Sequence, residues 1–472
     1  MDELPLWIIA ASDPVLLEAA AGLEASPSAG EITRLRRAAA EALAREGADG
    51  GDSPRAAELT RIVLHLLDGR RRLASKWADA AGALADPPGA EMASSAAAAR
   101  WKAARFARVL PAAGIDRVLD LCTGIGGDLR ELARHMASIP TVGVELDPLR
   151  AWMAQRNAPA ARVLTGPVEG DATSPATLAM LPTSLVHLDP ARRELTPGHG
   201  GRRRFDLDDL IPGPEFIETV ARTSAGAAIK LAPGINPADL PSGELEILSE
   251  DGRLTQGVLW TGRLATEGHA ITRATRLQRK QGLAQGAALP SAVTLAADRP
   301  SAHAALRRVT RADEADRRLA PGAIVRTVDP SIERAELLGV VCEAVGGLLT
   351  HAGAGLIVTP PDQEPLTGEA SAIDHAWCRA FRVLWRGPWQ RARVAGALRE
   401  TAPYVGVRAV EVKTRGRVID PDTEQIALRP ESRASTDAVV RTVFVQRLHG
   451  PNSTIEAIIT ERLSREHDDP SI

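Results

Sequence analysis

The chain predicts an α/β protein: a mostly parallel sheet in its middle part, preceded by a helical region and followed by a separate α+β part. Three observations predict this. Val118-Leu-Asp-Leu121, Val142-Gly-Val-Glu145 and Val186-His-Leu-Asp189 are short runs rich in Val and Leu, as strands buried on both faces require, and each ends in an acidic or Gly-rich turn. Before about Ala85, apolar residues recur at spacings of three and four. After Ala265 the pattern changes to an alternation of short helices and strands with no second nucleotide motif.

Taken in order, Ile32 to Arg45 and Ser53 to Ala85 read as helices rich in Ala, Leu and Arg, broken near Gly47-Ala-Asp-Gly-Gly51. Pro87-Pro88-Gly89 marks a boundary. The next helix, Ser94 to Leu110, carries Arg100, Lys102, Arg105 and Arg108, which read as a solvated face or as a lid beside the first strand. Asp147-Pro148 is an N-cap followed by Pro at the first helical position and needs no ligand. Lys230 falls late in a fifth strand, Ala-Ile-Lys-Leu-Ala-Pro-Gly, where it reads as snorkelling to solvent rather than facing a pocket. Leu195 to Pro214, with Arg202-Arg-Arg-Phe-Asp206, is either a substrate-contacting segment or a plain surface loop.

The later strands are Ile324 to Val328, Gly355 to Thr359, Ala409 to Lys413 and Ala438 to Gln446; Arg334 to Val345 and Trp389 to Arg399 read as helices. Arg273 to Gln281 is a polar stretch before them.

Three strand tips bearing polar residues describe one pocket, because ligands of open α/β sheets bind beyond the carboxyl ends of the strands. Gly124, Gly126 and Gly127 let the backbone turn and approach a ligand. Leu129 stands where a dinucleotide fingerprint wants its third glycine, and the Gly-Lys-Ser/Thr of a P-loop is absent. Asp120 lies just before the glycines and Glu145 about twenty residues on, at the next strand tip. That pairing suits a cationic nucleoside, with one carboxylate accepting from ribose hydroxyls and the other favouring an ammonium group.

From about Pro88 to Ala265 the chain resembles the class I S-adenosylmethionine-dependent methyltransferases. Asp-Leu-Cys-Thr-Gly-Ile-Gly-Gly (120 to 127) is similar to their first motif, Gly-Val-Glu (143 to 145) to the second and Gly-Asp-Ala (170 to 172) to the third. The resemblance implies a Rossmann-like methyltransferase fold with a mostly parallel seven-stranded sheet and S-adenosyl-L-methionine as cofactor. Asp120, Thr123, Gly124, Gly126 and Gly127 would hold its methionine end, Glu145 its ribose and Asp171 its adenine.

Asp189-Pro190-Ala191-Arg192 occupies the fourth motif, which in amino-group methyltransferases reads Asp/Asn/Ser-Pro-Pro-Tyr/Phe/Trp. The acceptor residues implied are Asp189, Pro190 and Arg192. Asp189 can accept a hydrogen from an attacking amine, and Pro190 leaves carbonyl groups facing it. Arg192, with Arg193 beside it, stands near the place of the usual aromatic; a guanidinium can stack on a base or pair with a phosphate. The later half resembles the THUMP-like domain that follows such methyltransferases in bacteria, on patterns such as Ala-Phe-Arg-Val-Leu (380 to 384) and Lys-Thr-Arg-Gly (413 to 416). That likeness implies RNA as partner by analogy. The expected organisation is a helical region over 1–87, a methyltransferase domain over 88–265 and a THUMP-like domain over 290–464.

Composition bounds the rest. The 472 residues are 44% hydrophobic, ample for packed cores. Cys122, Cys342 and Cys378 form no Cys-x-x-Cys pair, and no His-Glu-x-x-His cluster occurs, so no metal is indicated. No stretch is long and apolar enough for a bilayer, and the early acids argue against a signal peptide, which makes a reducing cytoplasm the expectation. From Thr266 to Ile472 there are 28 basic and 25 acidic residues, too balanced for a strongly basic RNA binder. A local footprint is still open to Arg307, Arg308, Arg317, Arg318, Arg391, Arg393, Lys413, Arg415 and Arg417.

The leading expectation is methyl transfer from adenosylmethionine to a base nitrogen in structured tRNA or rRNA. The alternatives are a small-molecule or protein acceptor, and a non-catalytic module that binds the cofactor and RNA.

Overall fold

The computed structural model describes residues 3–47, 54–166, 170–192, 206–265, 268, 270–278, 289–350, 355–360, 364–402, 406–414, 418–429, 439–447 and 454–463. The chain divides into two compact units. The first takes in Met1–Asp251, Thr255–His269 and Leu277–Ala292, and the second Gly252–Leu254, Ala270–Arg276 and Val293–Ile472.

The first unit opens with α1 (Leu4–Ser12), α2 (Pro14–Ala20), α3 (Ala29–Arg45) and α4 (Pro54–Leu73). Ser28 and Glu31 form a capping box at the start of α3, satisfying two orphan N–H groups. The helix expected to run from Ser53 to Ala85 instead ends at Leu73, where the Lys76 and Trp77 N–H groups both donate to its carbonyl. The chain must fold back there so that Ala85 lies on Gly69, where a Cβ would come within 2.2 Å of the Ala85 oxygen. Trp7, Leu35, Leu59, Leu66 and Trp77 share one core with Ile125 and Met153, so these helices are built into the same unit as the sheet.

The sheet region follows as α5 (Pro87–Met92), α6 (Ala96–Val109), β1 (Arg117–Leu121), α7 (Gly127–His135), β2 (Thr141–Glu145), α8 (Pro148–Asn157) and β3 (Arg162–Thr165). Then come α9 (Pro175–Met180), β4 (Ser184–Leu188), β5 (Ala191–Arg192), β6 (Leu210–Ile211), α10 (Pro214–Thr223), β7 (Gly226–Leu231), β8 (Glu244–Glu250) and β9 (Arg253–Gly262). Within this unit the strand order among the described residues is β8-β9-β7-β4-β1-β2-β3. The strands of this unit form a mixed sheet, since β9 runs antiparallel to β7. The stretch Arg273 to Gln278, polar in sequence, belongs to the strand β10 (Ile271–Gln278), in which Thr272, Ala274, Thr275 and Leu277 are buried.

Strands β3, β2, β1, β4 and β7 are parallel throughout. Chain order reverses between β1 and β4, which opens a crevice at their carboxyl ends. Register then decides which side chains share a face. Asp120 lies opposite His187, His187 opposite Ala228, and Ala228 opposite Trp260. That face packs on Phe106 of α6 and Leu132 of α7, while Ile217 and Val220 of α10 cover the other.

The second unit holds a seven-stranded sheet in which Ile324–Val328, Cys378–Pro388, Ile455–Arg462, Val439–Arg447 and Val407–Thr414 lie side by side. The strands expected there all occur. The helix expected over Arg334 to Val345 is instead two, Pro330–Arg334 and Leu338–Ala344, because Glu336 turns the backbone to φ +61° between them. Among the described residues no helix is long and apolar enough to cross a membrane.

Candidate functional site at the sheet crevice

A cavity of about 1020 Å³ lies at the carboxyl edge of β1, β2, β4 and β7. Nine of the ten residues singled out in the sequence line it: Asp120, Thr123, Gly124 and Gly127 from the first loop, Glu145, Asp171, and Asp189, Pro190 and Arg192. Gly126 does not. It holds φ +86° at the start of α7 and packs on α8, where an added Cβ would stand 3.1 Å from the Ala154 Cα.

The glycine loop and the second strand tip are joined. Gly124 N–H donates to Glu145 Oε2 at 2.7 Å, and Asp147 N–H donates to Oε1 at 3.0 Å. Burial still pushes the Glu145 carboxyl above its ordinary value, against the pull of those two N–H groups. Asp147 also caps α8 through Leu149 and Arg150, the role expected of it. Asp171 lies beyond β3 in a turn, not at the strand tip itself, with Oδ1 accepting from the Thr173 N–H and hydroxyl at 2.8 Å each.

Beneath the loop is a buried charge cluster. His187 Nδ1 donates to Asp120 Oδ1 at 2.6 Å, and Lys102 Nζ stands 3.0 Å from Nε2, so this tautomer satisfies both ring nitrogens. Lys102 also pairs with Asp128 Oδ1 at 2.7 Å, and Ser94 Oγ donates to Oδ2 at 2.7 Å. Burial pushes the Asp120 carboxyl up, outweighing His187. Burial works the same way on Asp128, but Lys102 and His187 overcome it and hold that carboxyl far below the usual range. For Lys102, burial wins over Asp128 and lowers the ammonium.

The basic residues of α6 are therefore not a solvated face. Arg100 pairs with Glu131, Lys102 with Asp128 and Arg105 with Glu244, all inside the protein; of the four, Arg108 alone is exposed. Their partners come from elements far along the chain, which helical spacing cannot reveal.

Asp189 continues the β4 ladder, its N–H donating to Leu121 O at 3.1 Å, and its Oδ2 meets Lys230 Nζ at 2.7 Å. Lys230 does not snorkel. It lines the cavity, donates also to Met92 O at 3.3 Å, and stays charged because Asp189 and Asp128 outweigh its burial. Met92 follows from Lys76, whose ammonium binds the Ala90, Glu91 and Ala93 carbonyls at 3.0, 2.5 and 2.8 Å and so fixes the end of α5. Trp77 Nε1 adds a bond to Ser94 O at 2.9 Å. Sequence reasoning missed His187, Asp128, Ser94, Gln256 and Met92; His187, two residues before Asp189 and so on the same face, was the one with a readable signal.

Arg192 is exposed at the rim, in a two-residue pairing of β5 with β6 that sets Ala191 opposite Ile211. Arg193, the Arg202 to Phe205 run, Arg415 and Arg417 lie outside the described residues. Among the described residues no group of three or more His, Cys, Asp or Glu is placed to hold a metal.

No family model matches the chain. Two proteins of Mycobacterium tuberculosis, from two strains, are each 29% identical over 345 residues, covering 72% of this chain and 79% of their own length. Each is described as an uncharacterized S-adenosylmethionine-dependent methyltransferase. A crystal structure from Listeria monocytogenes, described as a class I methyltransferase of the same dependence, superposes with a TM-score of 0.30 at 12% identity, over 54% of this chain and 85% of that one.

Proposed function

We propose that this chain, an S-adenosylmethionine-dependent methyltransferase, transfers the methyl group to a base nitrogen in structured RNA. One observation carries the reading: Asp189-Pro190 opens onto the same cavity as the glycine loop and Glu145. The cradle fits the cofactor. Gly124 sits at φ +58° with nothing within 4 Å of an added Cβ, leaving backbone open to a ligand, and Glu145 lines the cavity at the second strand tip. When bound, the cofactor supplies an activated methyl group on a sulfonium.

The protein's own part is orientation. Glu145 is held by two backbone N–H groups, which leaves its other lone pairs for ribose hydroxyls. Asp120 is locked by His187 and Thr123, so the loop above it cannot drift. Asp189 accepts a hydrogen bond from the acceptor nitrogen and aims its lone pair. Arg192 at the rim is placed to stack on a base or pair with phosphate. The THUMP-like reading of the later half supports RNA by analogy alone. Of the described cations expected to gather there, Arg308, Arg318, Arg391 and Lys413 are held by Glu343, Glu314, Glu424 and Glu411, while Arg307, Arg317 and Arg393 are exposed.

The test is transfer of labelled methyl to total RNA from cells lacking this protein, wild type beside Asp189→Ala. RNase-sensitive label from wild type alone, with cofactor affinity equal by calorimetry, supports the reading. RNase-resistant label moves the acceptor to a protein or small molecule. A second reading, a non-catalytic module, draws on the lack of an aromatic after Asp189-Pro190; it predicts cofactor binding, no label, and RNA retention that falls steeply with salt.

A further inference from the structure

The cofactor assignments use the β1, β2 and β3 side of the crevice. On the other side, the carboxyl ends of β4 and β7 and the start of the antiparallel β9 carry three polar groups: Asp189, Lys230 and Gln256. They share a face. Lys230 lies opposite Val258, and Gln256 is two residues from Val258 along β9, so both point the same way as Ala228 and Trp260, hence as His187 and Asp189. All three line the cavity.

Gln256 is 3% exposed; its Oε1 faces Ser94 Oγ at 3.5 Å, and among the described residues its Nε2 has no hydrogen-bond partner. A buried N–H without an acceptor is costly, and because Gln256 lines the cavity, a small turn of its side chain would let an entering acceptor satisfy it.

We propose that Lys230 and Gln256 complete the acceptor subsite with Asp189, and that the three select a neutral nitrogen bearing N–H beside a hydrogen-bond acceptor, the amide or amidine edge of a nucleobase, over a cationic amine. This rests on the methyl-transfer reading. The Asp189 carboxylate keeps lone pairs for the N–H, while the Lys230 ammonium and the Gln256 amide donate to the neighbouring ring nitrogen or carbonyl. An aliphatic ammonium has no lone pair to offer and no acceptor for either donor. It also brings a second positive charge beside Lys230, which Asp189 and Asp128 keep protonated. In the step itself the acceptor nitrogen forms the N–C bond with its lone pair as the C–S bond breaks, and that electron pair stays on sulfur. The nitrogen, now cationic, loses its proton along the Asp189 hydrogen bond to solvent.

The experiment uses the full chain with labelled cofactor and a lysate of cells lacking it, afterwards separated into RNA, protein and small metabolites. Wild type, Lys230→Met, Lys230→Arg and Gln256→Leu run in parallel, with cofactor affinity and thermal unfolding measured for each. The expected result is label on an amide or amidine nitrogen, at least tenfold weaker kcat/KM in Lys230→Met and Gln256→Leu with cofactor Kd within about twofold, partial recovery in Lys230→Arg, and a higher ratio of amine to base labelling in Lys230→Met. Label from wild type on lysine or another aliphatic amine overturns the inference, as does undiminished kcat/KM in both variants. Label on an amide nitrogen in the metabolite fraction supports the subsite while sinking the RNA reading.

Discussion

Gly124 donates its backbone N–H to Glu145 Oε2 at 2.7 Å, so the glycine loop after one strand and the carboxylate at the tip of the next move as one body. A change at Glu145 removes the bond, whereas a change at Gly124 keeps the backbone N–H but strains the loop that presents it at φ +58°. The crevice is thus preorganised by a bond that crosses two strands.

Glu145→Gln is expected to weaken cofactor binding about 10- to 100-fold, the equivalent of one or two hydrogen bonds to a charged group at about 1.5 kcal/mol each. Burial holds this carboxyl above its ordinary 4.5. Proton uptake on acidification therefore begins at a higher pH than for an exposed glutamate, and cofactor affinity falls along that limb. Calorimetry across pH checks both points. The Gln variant should lack the acid limb, and a wild-type affinity in it would remove Glu145 from ribose binding.

Lys102→Met should cost about 3 to 5 kcal/mol, because it leaves Asp128 charged and unpaired inside the protein. Asp128→Leu made in the same chain should recover much of that loss. The sign with pH follows from the depressed Asp128 carboxyl: its stabilisation is present above the ordinary 3.8 and lost as pH falls through the folded value. Urea unfolding of the two single variants and the double variant measures this. Additive losses would mean the pair is not coupled.

Gly126→Ala and Gly124→Ala should separate stability from binding. Both force a left-handed backbone on alanine, at about 1 to 2 kcal/mol. At Gly126 the methyl also meets Ala154 at 3.1 Å, whereas at Gly124 it meets nothing within 4 Å. Thermal unfolding is expected to drop further for Gly126→Ala. Cofactor affinity should drop further for Gly124→Ala, since its methyl projects where the ligand approaches.

Lys76→Met removes the cation from three carbonyls at the end of α5. Hydrogen exchange over residues 87–95 should quicken, and strands β1 and β4 should keep their protection. Equal protection in variant and wild type would show that Pro87–Met92 is held by its apolar packing alone.

Much of this was readable in the chain. The strand tips at Glu145 and Asp189 were legible because a buried parallel strand is mostly apolar until it ends, whereas Asp120 lies inside β1, buried against His187. Asp147-Pro148 was legible as a cap for an equally local reason. Lys230 and the α6 cations were misread because a lysine or arginine at strand or helix spacing looks alike whether it meets water or a buried carboxylate. The break of the second long helix at Leu73 was hidden too, since Ala-rich sequence continues past it and the cause is Ala85 folding back on Gly69.

By itself, then, the sequence determined the order of strands and turns, the glycine loop and the acidic tips, all set by preferences of neighbouring residues. Only the tertiary structure decided that Lys230 grips Asp189, that His187 and Lys102 lock Asp120 and Asp128, and that Gln256, which lines the cavity, has a buried N–H without a partner among the described residues. Those contacts join strands and helices far apart in the chain, and strand register, which sequence spacing does not encode, determines which side chains face each other.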